Sequence, residues 1–551
     1  MSKIIKNPDW WRGAVMYQIY PRSYMDTTGN GIGDLPGITQ KLDYIAGLGV
    51  NGIWISPFFR SPMKDFGYDV ADYRDIDPLF GRLDDFKELL ERAHDMDLKV
   101  IIDMVMSHTS DQHAWFQESR SDQVNSKADW YVWADPSPDG TPPTNWMSVF
   151  GGPAWSYDVR RGQYYLHSFL KEQPDLNYHN IEVQDAMLSE CRFWLDMGVD
   201  GFRLDAVNHC VNDKELRNNP PRENPVPFSQ LEFPETYAMQ WHVYDKSRPE
   251  NLNYMRRVRA LLDEYPDRFA IAEIGDDHAV KQAAEYTASP DLIHSAYSFG
   301  FLSDKGALPG ASFFRKGIQD QMNEPGDSWP SWAFSNHDVI RAASRWSGED
   351  YGHDPHLSKL LVALLATLRG TAFLYQGDEL GLPEVKIPYE QLVDPWGLHL
   401  YPLWQGRDGC RTPMPWYDEP GKGGFTSSDN PWLRVSNSHL PLSVARQEVD
   451  PESTLHFTRV FLNWRKDHRV LWIGDIDFPE EETLPDEILC AHRHHEDSDM
   501  IAVFNLSPKA QEVEIKALNG RTPLDFGDFR PEYKHDGTRL SLEPYAFAFF
   551  A

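Results

Sequence analysis

The amino-acid sequence predicts an α/β fold: a (β/α)8 barrel with an inserted domain B after strand 3 and a C-terminal antiparallel β-sandwich domain. Three observations lead to this prediction. Eight short apolar runs alternate with longer segments of helical periodicity, as in a barrel of parallel strands. The interval after the third run is far longer than one helix needs. The last part of the 551-residue chain changes to short alternating segments between turn residues, which is typical of antiparallel strands.

The eight predicted strands are nearly continuous apolar runs, as a parallel sheet covered on both faces requires. They begin at Ala14, Gly49, Leu98, Gly198, Arg268, Asp291, Ser331 and Thr371. Between them, segments such as FKELLERAHDMD and YMRRVRALLDEY carry apolar residues at helical spacing. Each strand is therefore followed by room for a helix, which is the repeating unit of the barrel.

Composition shifts along the chain suggest where its domains divide. The inserted segment is rich in Trp, Pro, Asp and Gly, and two further long segments should form walls or a cover at the barrel mouth. We expect a barrel domain A over 1–108 and 181–473, domain B over 109–180, a C-terminal domain over 474–551, and wall segments at about 211–250 and 382–425.

Charge and cysteine usage limit the partners and the compartment. A formal net charge of −31 disfavours nucleic acid and anionic membranes as partners. Four cysteines without a CxxC pair indicate reduced thiols. Because no apolar leader region and no run of about 20 apolar residues occurs, we expect a cytoplasmic monomer or small homo-oligomer that acts on a small molecule.

The run GVDGFRLDAVN places Arg203 two residues before Asp205 at the end of the fourth predicted strand. Side chains two apart on a strand share a face. A neighbouring guanidinium favours the ionised carboxylate, so we expect Asp205 to stay charged and to be suited to nucleophilic attack. The alternative is a structural ion pair at a strand end.

Further polar residues end the other predicted strands, where a barrel carries its active site. They are Asp103, Ser107, His108, Glu273, His337 and Asp338. Several acids converging with His and Arg donors suggest glycosidic-bond chemistry, because a retaining glycosidase needs a carboxylate nucleophile and a second carboxyl of raised pKa. Asp205 suits the first role, and Glu273, between two apolar neighbours, suits the second.

Several ordered segments resemble those of a known family. DMVMSH, GFRLDAVNH, AEIG and SNHD resemble four signature segments of the α-amylase superfamily, glycoside hydrolase family 13. QPDLN, from Gln173 to Asn177, resembles the fifth segment as found in the α-glucosidase and oligo-1,6-glucosidase group, and GVNGIWISP and GRDGCRTPMPW fit the same group. The resemblance runs from Trp10 to the C-terminus and implies the three-domain architecture described above.

The resemblance also implies roles for individual residues. It makes Asp205 the nucleophile, Glu273 the general acid/base and Asp338 a third carboxylate that grips sugar hydroxyls. Under the same likeness, His108 and His337 hydrogen-bond the bound glucose.

Other residues are implied to shape the pocket. Arg203 would hold Asp205, and Tyr68 would stack beneath the glucose ring. Asp65 with Arg407 would grip the non-reducing end and so make the enzyme exo-acting. Phe150 and Phe169 are expected either as aromatic walls or as part of the domain B core.

Two departures from the family pattern matter. The first segment has Ser107 where Asn usually precedes the His, so we expect no amylase-type calcium between domains A and B. Ala206 follows the nucleophile where α-1,6-preferring relatives carry Val, which resembles maltase-type members and favours α-1,4 linkages.

The loop DTTGNGIGD near the N-terminus has oxygen-bearing groups at alternate positions, like a calcium loop. The expected ligands of one structural Ca²⁺ or Mg²⁺ are Asp26, Thr28, Asn30, the Ile32 carbonyl and Asp34. A metal-free glycine-rich turn is the alternative. We expect no organic cofactor.

Together these features predict a retaining exo-α-glucosidase that releases glucose from maltose, short oligosaccharides or sucrose. Transglucosylation, oligo-1,6-glucosidase activity, sucrose isomerisation and phosphotrehalose hydrolysis remain alternatives within the same chemistry. A non-catalytic family member, such as a transporter heavy chain, is disfavoured because Asp205, Glu273 and Asp338 are all present.

Overall fold

The computed structural model describes residues 9–225, 235–302, 306–324, 326, 328–348, 352–480, 483–496, 498–527, 529 and 532–551. Eight parallel strands close into a barrel, which confirms the predicted fold class. They are β1 (Val15–Ile19), β2 (Gly52–Ile55), β3 (Lys99–Val105), β4 (Gly201–Asp205), β5 (Phe269–Glu273), β6 (Ser295–Tyr297), β7 (Trp329–Ala333) and β8 (Thr371–Tyr375).

Helices surround the barrel and follow its strands in turn. In chain order they are Leu35–Gln40, Leu42–Gly47, Leu83–Asp95, Ile181–Met197, Asn251–Leu262, Ala279–Thr287, Ala311–Met322, Ala342–Arg345, Pro355–Thr367, Thr454–Lys466 and Arg469–Ile473. Apolar faces of these helices pack on the strands, so the barrel sheet is buried on both sides.

Two glycines define the entry to β4, the strand that carries Arg203 and Asp205. Helix Ile181–Met197 ends at Gly198, whose φ of 109° lies in the left-handed region that glycine tolerates. At Gly201 a Cβ would lie 1.8 Å from the carbonyl oxygen of Phe269 on β5, so any side chain there would push the two strands apart.

The strand register brings charged residues of neighbouring strands side by side. Asp103 of β3 pairs with Arg203 of β4, and Val105 pairs with Asp205. On the other side, Ile271 of β5 pairs with Arg203. The side chains at the carboxyl ends of β3, β4 and β5 therefore meet over a short distance.

The segment between β3 and the helix Ile181–Met197 has secondary structure of its own. It contains a short helix, Ala114–Ser119, and a three-stranded antiparallel sheet of Trp133–Ala134, Gln163–Leu166 and Trp155–Asp158. The wall segment expected at about 211–250 lies partly outside the described residues; its described part includes a 3-10 helix, Tyr237–Met239.

The C-terminal part forms two antiparallel sheets, as predicted. One contains Asp475–Asp477, Ile488–His495, Ser498–Asn505 and Phe547–Phe550, and the other contains Gln511–Glu514, Arg539–Leu542 and Tyr533–Asp536. Apolar side chains fill the space between them. The first sheet also packs on the barrel, where the rings of Phe461 and Phe549 lie 5.7 Å apart.

All four cysteines are buried free thiols. Within the described part of the chain, no helix combines the length and the apolarity that crossing a bilayer requires.

Candidate active site

A cavity of about 330 Å³ opens at the carboxyl ends of the barrel strands. Ten of the residues singled out from the sequence line it: Asp65, Tyr68, His108, Phe150, Phe169, Asp205, Ala206, Glu273, Asp338 and Arg407. Arg203 and His337 are fully buried and bond to these lining residues. The structure therefore brings every predicted catalytic and substrate-binding residue to one place.

The buried guanidinium of Arg203 joins three carboxylates. Its Nη1 lies 2.8 Å from Asp103 and 2.5 Å from Asp205, and its Nη2 lies 2.6 Å from Glu273. Asp103 also accepts hydrogen bonds from the Trp54 indole and from the Tyr68 hydroxyl. Each of the three carboxylates thus has a cationic partner inside the protein, which reduces the cost of burying them together.

Burial, more than Arg203, sets the protonation of the two central carboxylates. Burial raises the pKa of Asp205 to about 7, although Arg203 acts in the opposite direction. Burial likewise raises the pKa of Glu273 to about 8, with Arg203 lowering it and the charge of Asp205 raising it further. The expectation that Arg203 alone keeps Asp205 ionised left out this larger desolvation effect.

Asp338 lies in a different electrostatic environment. Burial acts against its ionisation, but Arg407 at 3.2 Å and Arg411 at 2.8 Å hold its pKa well below the usual range. His337 is also close, at 3.3 Å, yet burial lowers the pKa of that imidazole to about 3, so the two arginines supply the positive charge near neutral pH. Asp338 is therefore a fixed anion, unlike Asp205 and Glu273.

An ion-pair network around Arg407 forms part of the cavity wall. Its Nη2 lies 2.9 Å from Asp65 and 2.7 Å from Asp394. The Gln173 amide donates to Asp65 at 3.3 Å and lies 3.1 Å from His108, so the fifth signature segment reaches the same part of the wall. Asp394 and Arg411 are functional candidates that sequence reasoning missed.

Tyr68 and His108 line the cavity, and the buried His337 contacts Tyr68. The Tyr68 hydroxyl lies 2.6 Å from Nε2 of His337, and the two rings stack with centroids 5.5 Å apart. Burial lowers the pKa of His108 to about 4, so both histidines are neutral hydrogen-bonding groups near pH 7. The Ser107 hydroxyl contacts Nδ1 of His108 at 2.9 Å, which orients that ring.

The aromatic wall comes from domain B and from the loop after β8. Phe150 packs on Phe169 and on Trp396, with ring centroids 5.8 and 5.1 Å apart. Phe169 also lies 5.3 Å from the His108 ring. Both phenylalanines line the cavity, and neither belongs to the apolar cluster of the segment after β3, so the structure places them in the wall and not in a domain B core.

Ala206 contributes its backbone to the site. Its φ of 40° lies in the left-handed region, which is uncommon for a residue with a side chain. In this conformation its N–H donates to Oε2 of Glu273 at 2.9 Å. The residue after the candidate nucleophile thus positions the candidate acid, a contact that no sequence pattern indicates.

The rest of the cavity lining was not anticipated residue by residue. It is lined by Asn208, His209, Tyr237, Lys246, Asp276, Asp277, Phe299, Leu302 and Val339. These side chains come from segments without periodicity, and only their position after the ends of β4, β5, β6 and β7 could have indicated them.

The catalytic-domain model of the α-amylase family matches residues 18–474. The chain belongs to the α-amylase family. It is 50% identical over 549 residues to a probable α-glucosidase of Rhizobium meliloti, covering 98% of this chain and 97% of the relative. An oligo-1,6-glucosidase of Heyndrickxia coagulans is 34% identical, with 98% of this chain and 99% of the relative covered.

A solved α-glucosyl transfer enzyme, XgtA, superposes on this α-amylase-family chain with a TM-score of 0.93 at 49% sequence identity. The match covers 98% of this chain and 99% of that one. Likeness at this level extends to the whole architecture, including the part after β3 and the C-terminal sheets.

The loop from Asp26 to Asp34, in which a metal ion is expected, is held by internal hydrogen bonds. Asp26 accepts from the Thr28, Gly29 and Gly31 amides, and Asp34 accepts from the Thr27 and Gly37 amides. Two carboxylates balance one divalent charge, so the donor chemistry fits Ca²⁺. A cation would have to compete with these donors for the same oxygen atoms.

Side-chain oxygens of the loop are engaged in the same way. The Thr28 and Thr426 hydroxyls donate to Asp26, the latter at 2.5 Å, and Oδ1 of Asn30 accepts from the Ile32 amide. Among the described residues, no three His, Cys, Asp or Glu side chains form a cluster that could hold a metal ion.

The two raised pKa values predict a bell-shaped pH profile of kcat/KM. Attack requires ionised Asp205, so activity rises as pH passes about 7, and protonation of the leaving group requires the Glu273 proton, so activity falls above about 8. With α-glucosyl fluoride, whose leaving group needs no proton, Glu273→Gln should abolish the fall at high pH.

Glu384 provides a matched control for this profile. It is a buried carboxyl outside the cavity whose pKa burial also raises, to about 7. We expect Glu384→Gln to keep both the rise of kcat/KM at lower pH and its fall at higher pH. A high-pH limb that persists in Glu273→Gln would contradict the acid assignment.

Proposed function

We propose that this protein is a retaining exo-α-glucosidase that acts on short α-glucosides. The observation that carries the proposal is that Asp205 and Glu273 bind the two terminal nitrogens of one buried guanidinium, Arg203. A hydrogen bond between the two carboxyl groups also acts to lower the pKa of Asp205, against the effect of burial. Such close spacing suits a retaining enzyme, because an inverting one separates its carboxyls by about 6.5–9.5 Å to admit a water molecule.

In the proposed reaction Asp205 attacks the anomeric carbon while protonated Glu273 gives its proton to the leaving oxygen. The bond from carbon to that oxygen breaks, and a covalent glucosyl–Asp205 ester forms. Glu273, now ionised, takes a proton from water as the water attacks the ester. Its higher pKa fits this order, because it holds a proton at a pH at which Asp205 has already lost its own.

The exo-acting character is supported by the closed end of the cavity. The pair of Asp65 and Arg407 blocks extension beyond one sugar, and buried Asp394 fixes Arg407 from behind. Residues 109–180 would act as domain B, supplying Phe150 and Phe169 to the wall, with 474–551 as the C-terminal domain. A cavity of this form accepts chain ends and excludes the middle of a polysaccharide.

Transglucosylation is a second candidate activity. The relative XgtA, an α-glucosyl transfer enzyme, is 49% identical over almost the whole chain, slightly less than the probable α-glucosidase of Rhizobium meliloti. Both outcomes share the glucosyl–Asp205 ester and differ only in whether water or a second hydroxyl compound attacks it. We propose that such an acceptor lies against Tyr237 and Lys246, which also line the cavity.

We also propose a cytoplasmic location. Four buried thiols without disulfides suit a reducing compartment. A net charge of −31 opposes self-association and favours a monomer or small homo-oligomer.

Replacing the candidate nucleophile tests the proposal. With maltose, the native enzyme should release α-glucose first, as read by ¹H NMR of the anomeric protons. Asp205→Asn should lower turnover of p-nitrophenyl α-glucoside by at least about 10³-fold while circular dichroism stays unchanged. Early β-glucose, or full activity in Asp205→Asn, would rule out the retaining assignment.

Linkage preference is tested at Ala206. We expect the native enzyme to hydrolyse maltose faster than isomaltose, and Ala206→Val to narrow this difference. Because Val is costly at a positive φ, Ala206→Gly serves as the control that keeps the backbone free of strain. The proposal fails if the native enzyme cleaves maltose and isomaltose equally fast. It also fails if the Gly and Val variants change the ratio of the maltose rate to the isomaltose rate equally.

For the loop from Asp26 to Asp34 we propose one weakly bound Ca²⁺ or Mg²⁺. With only two carboxylates, affinity should be on the order of 1 mM, so millimolar Ca²⁺ should raise the melting temperature and EDTA should reverse the effect. Asp26→Asn should abolish the shift, and Asp84→Asn, on the exposed surface, should preserve it. A melting temperature that does not respond to Ca²⁺ would favour the metal-free turn.

A further inference from the structure

A second cavity, of about 530 Å³, lies between the barrel and the C-terminal domain. None of its lining residues also lines the catalytic cavity. Its walls come from the start of helix Pro355–Thr367, from residues 441–454 and from the C-terminal domain between Phe529 and Phe547. Its volume falls in the range of roughly 300–1,000 Å³ that is usual for small-molecule sites.

The distinctive group in this cavity is Lys359. Only 7% of this residue is exposed, yet its ammonium group makes no hydrogen bond or ion pair with any residue that the structure describes. Its Nζ lies 5.1 Å from the centroid of the Phe529 ring, and burial lowers the pKa of the ammonium group. The Lys359 ammonium nitrogen is not among the solvent-excluded polar atoms without a partner, so it faces the open cavity and its N–H donors are available to a ligand.

Three carboxylates also line the cavity: Asp450, Glu452 and Glu532. Their charges act on Lys359 from a distance, without an ion pair to it. The two histidines on this rim are His353, whose pKa burial lowers, and His356, which lies 3.9 Å from Glu532. Arg446 also lines the cavity, but its guanidinium is paired with Asp418, so the excess of carboxylates opposes an anionic ligand such as phosphate.

Aromatic side chains complete the wall on the side of the C-terminal domain. Phe529, Tyr545 and Phe547 line the cavity there. Ring faces pack well against the C–H patches of a sugar, while ammonium and carboxylate groups donate to and accept from its hydroxyls. The set combines two cations, Lys359 and Arg446, with several acceptors and aromatic surface around the cavity.

We propose that this cavity is a second, non-catalytic binding site for a neutral mono- or disaccharide, held through Lys359. Sugar hydroxyl oxygens accept from the Lys359 ammonium, and sugar hydroxyls donate to Asp450, Glu452 or Glu532. The site joins the barrel to the C-terminal domain, so an occupied site stabilises that interface by mass action. The proposal does not rest on the glucosidase assignment.

The test is calorimetric titration of maltose into full-length Asp205→Asn, in which turnover is removed. We expect two binding sites. Adding Lys359→Met, which preserves length and removes the charge, should abolish one of them or weaken it at least tenfold. Adding Lys41→Met should preserve both, since that lysine also lies over an aromatic ring, Trp416, but lines neither cavity.

Each outcome has a distinct meaning. If Lys359→Met leaves the isotherm unchanged, or if inorganic phosphate binds through Lys359 while maltose does not, the proposal is overturned. Complete absence of maltose binding overturns it too and leaves a water-filled cavity. A single site that Lys359→Met removes would support the second site while counting against the catalytic assignment. In the native background, Lys359→Met should keep kcat/KM for p-nitrophenyl α-glucoside.

Discussion

The active site depends on one interaction, the binding of three carboxylates by the buried guanidinium of Arg203. Asp103, Asp205 and Glu273 come from three adjacent strands, β3, β4 and β5, and each needs a cation to be tolerated in the barrel. Without Arg203, three acids would remain buried and unpaired, which is strongly unfavourable. The same cation is too weak to overcome burial, so it leaves Asp205 and Glu273 with raised pKa values suited to chemistry near neutral pH.

A second group of charges determines where the sugar can lie. Arg407 binds Asp65, Asp338 and Asp394, and Arg411 adds a further bond to Asp338. Here two arginines bind Asp338, and its pKa is lowered, whereas the pKa values of Asp205 and Glu273 are raised. The cavity therefore combines two carboxyls that can gain and lose a proton, Asp205 and Glu273, with Asp338, which stays charged. The proposed bond chemistry belongs to the first two, and the binding of sugar hydroxyls belongs to Asp338. The loop after β8 supplies both arginines, so closure of the cavity and fixation of Asp338 depend on the same segment.

Much of the site could be predicted because barrel strands end at one face. Asp205, Glu273 and Asp338 stand out in the sequence as polar residues at the ends of apolar runs, and the structure collects them around one cavity. Asp394, Arg411, His209 and Lys246 could not be found in this way, because they lie in loops whose sequences carry no period. The contact from the Ala206 amide to Glu273 was also hidden, since it depends on a left-handed backbone conformation.

The sequence by itself determined the barrel, the C-terminal sheets and the choice of the candidate catalytic carboxyls, because hydrophobic periodicity and strand-end polarity are local properties. Only the tertiary structure decided how those carboxyls titrate. Asp205 has Arg203 two residues away, which locally favours ionisation, yet burial raises its pKa, and the charge of Asp103, which binds the same guanidinium, raises it further. Desolvation and the charges of residues distant in sequence add up only once the strands are side by side.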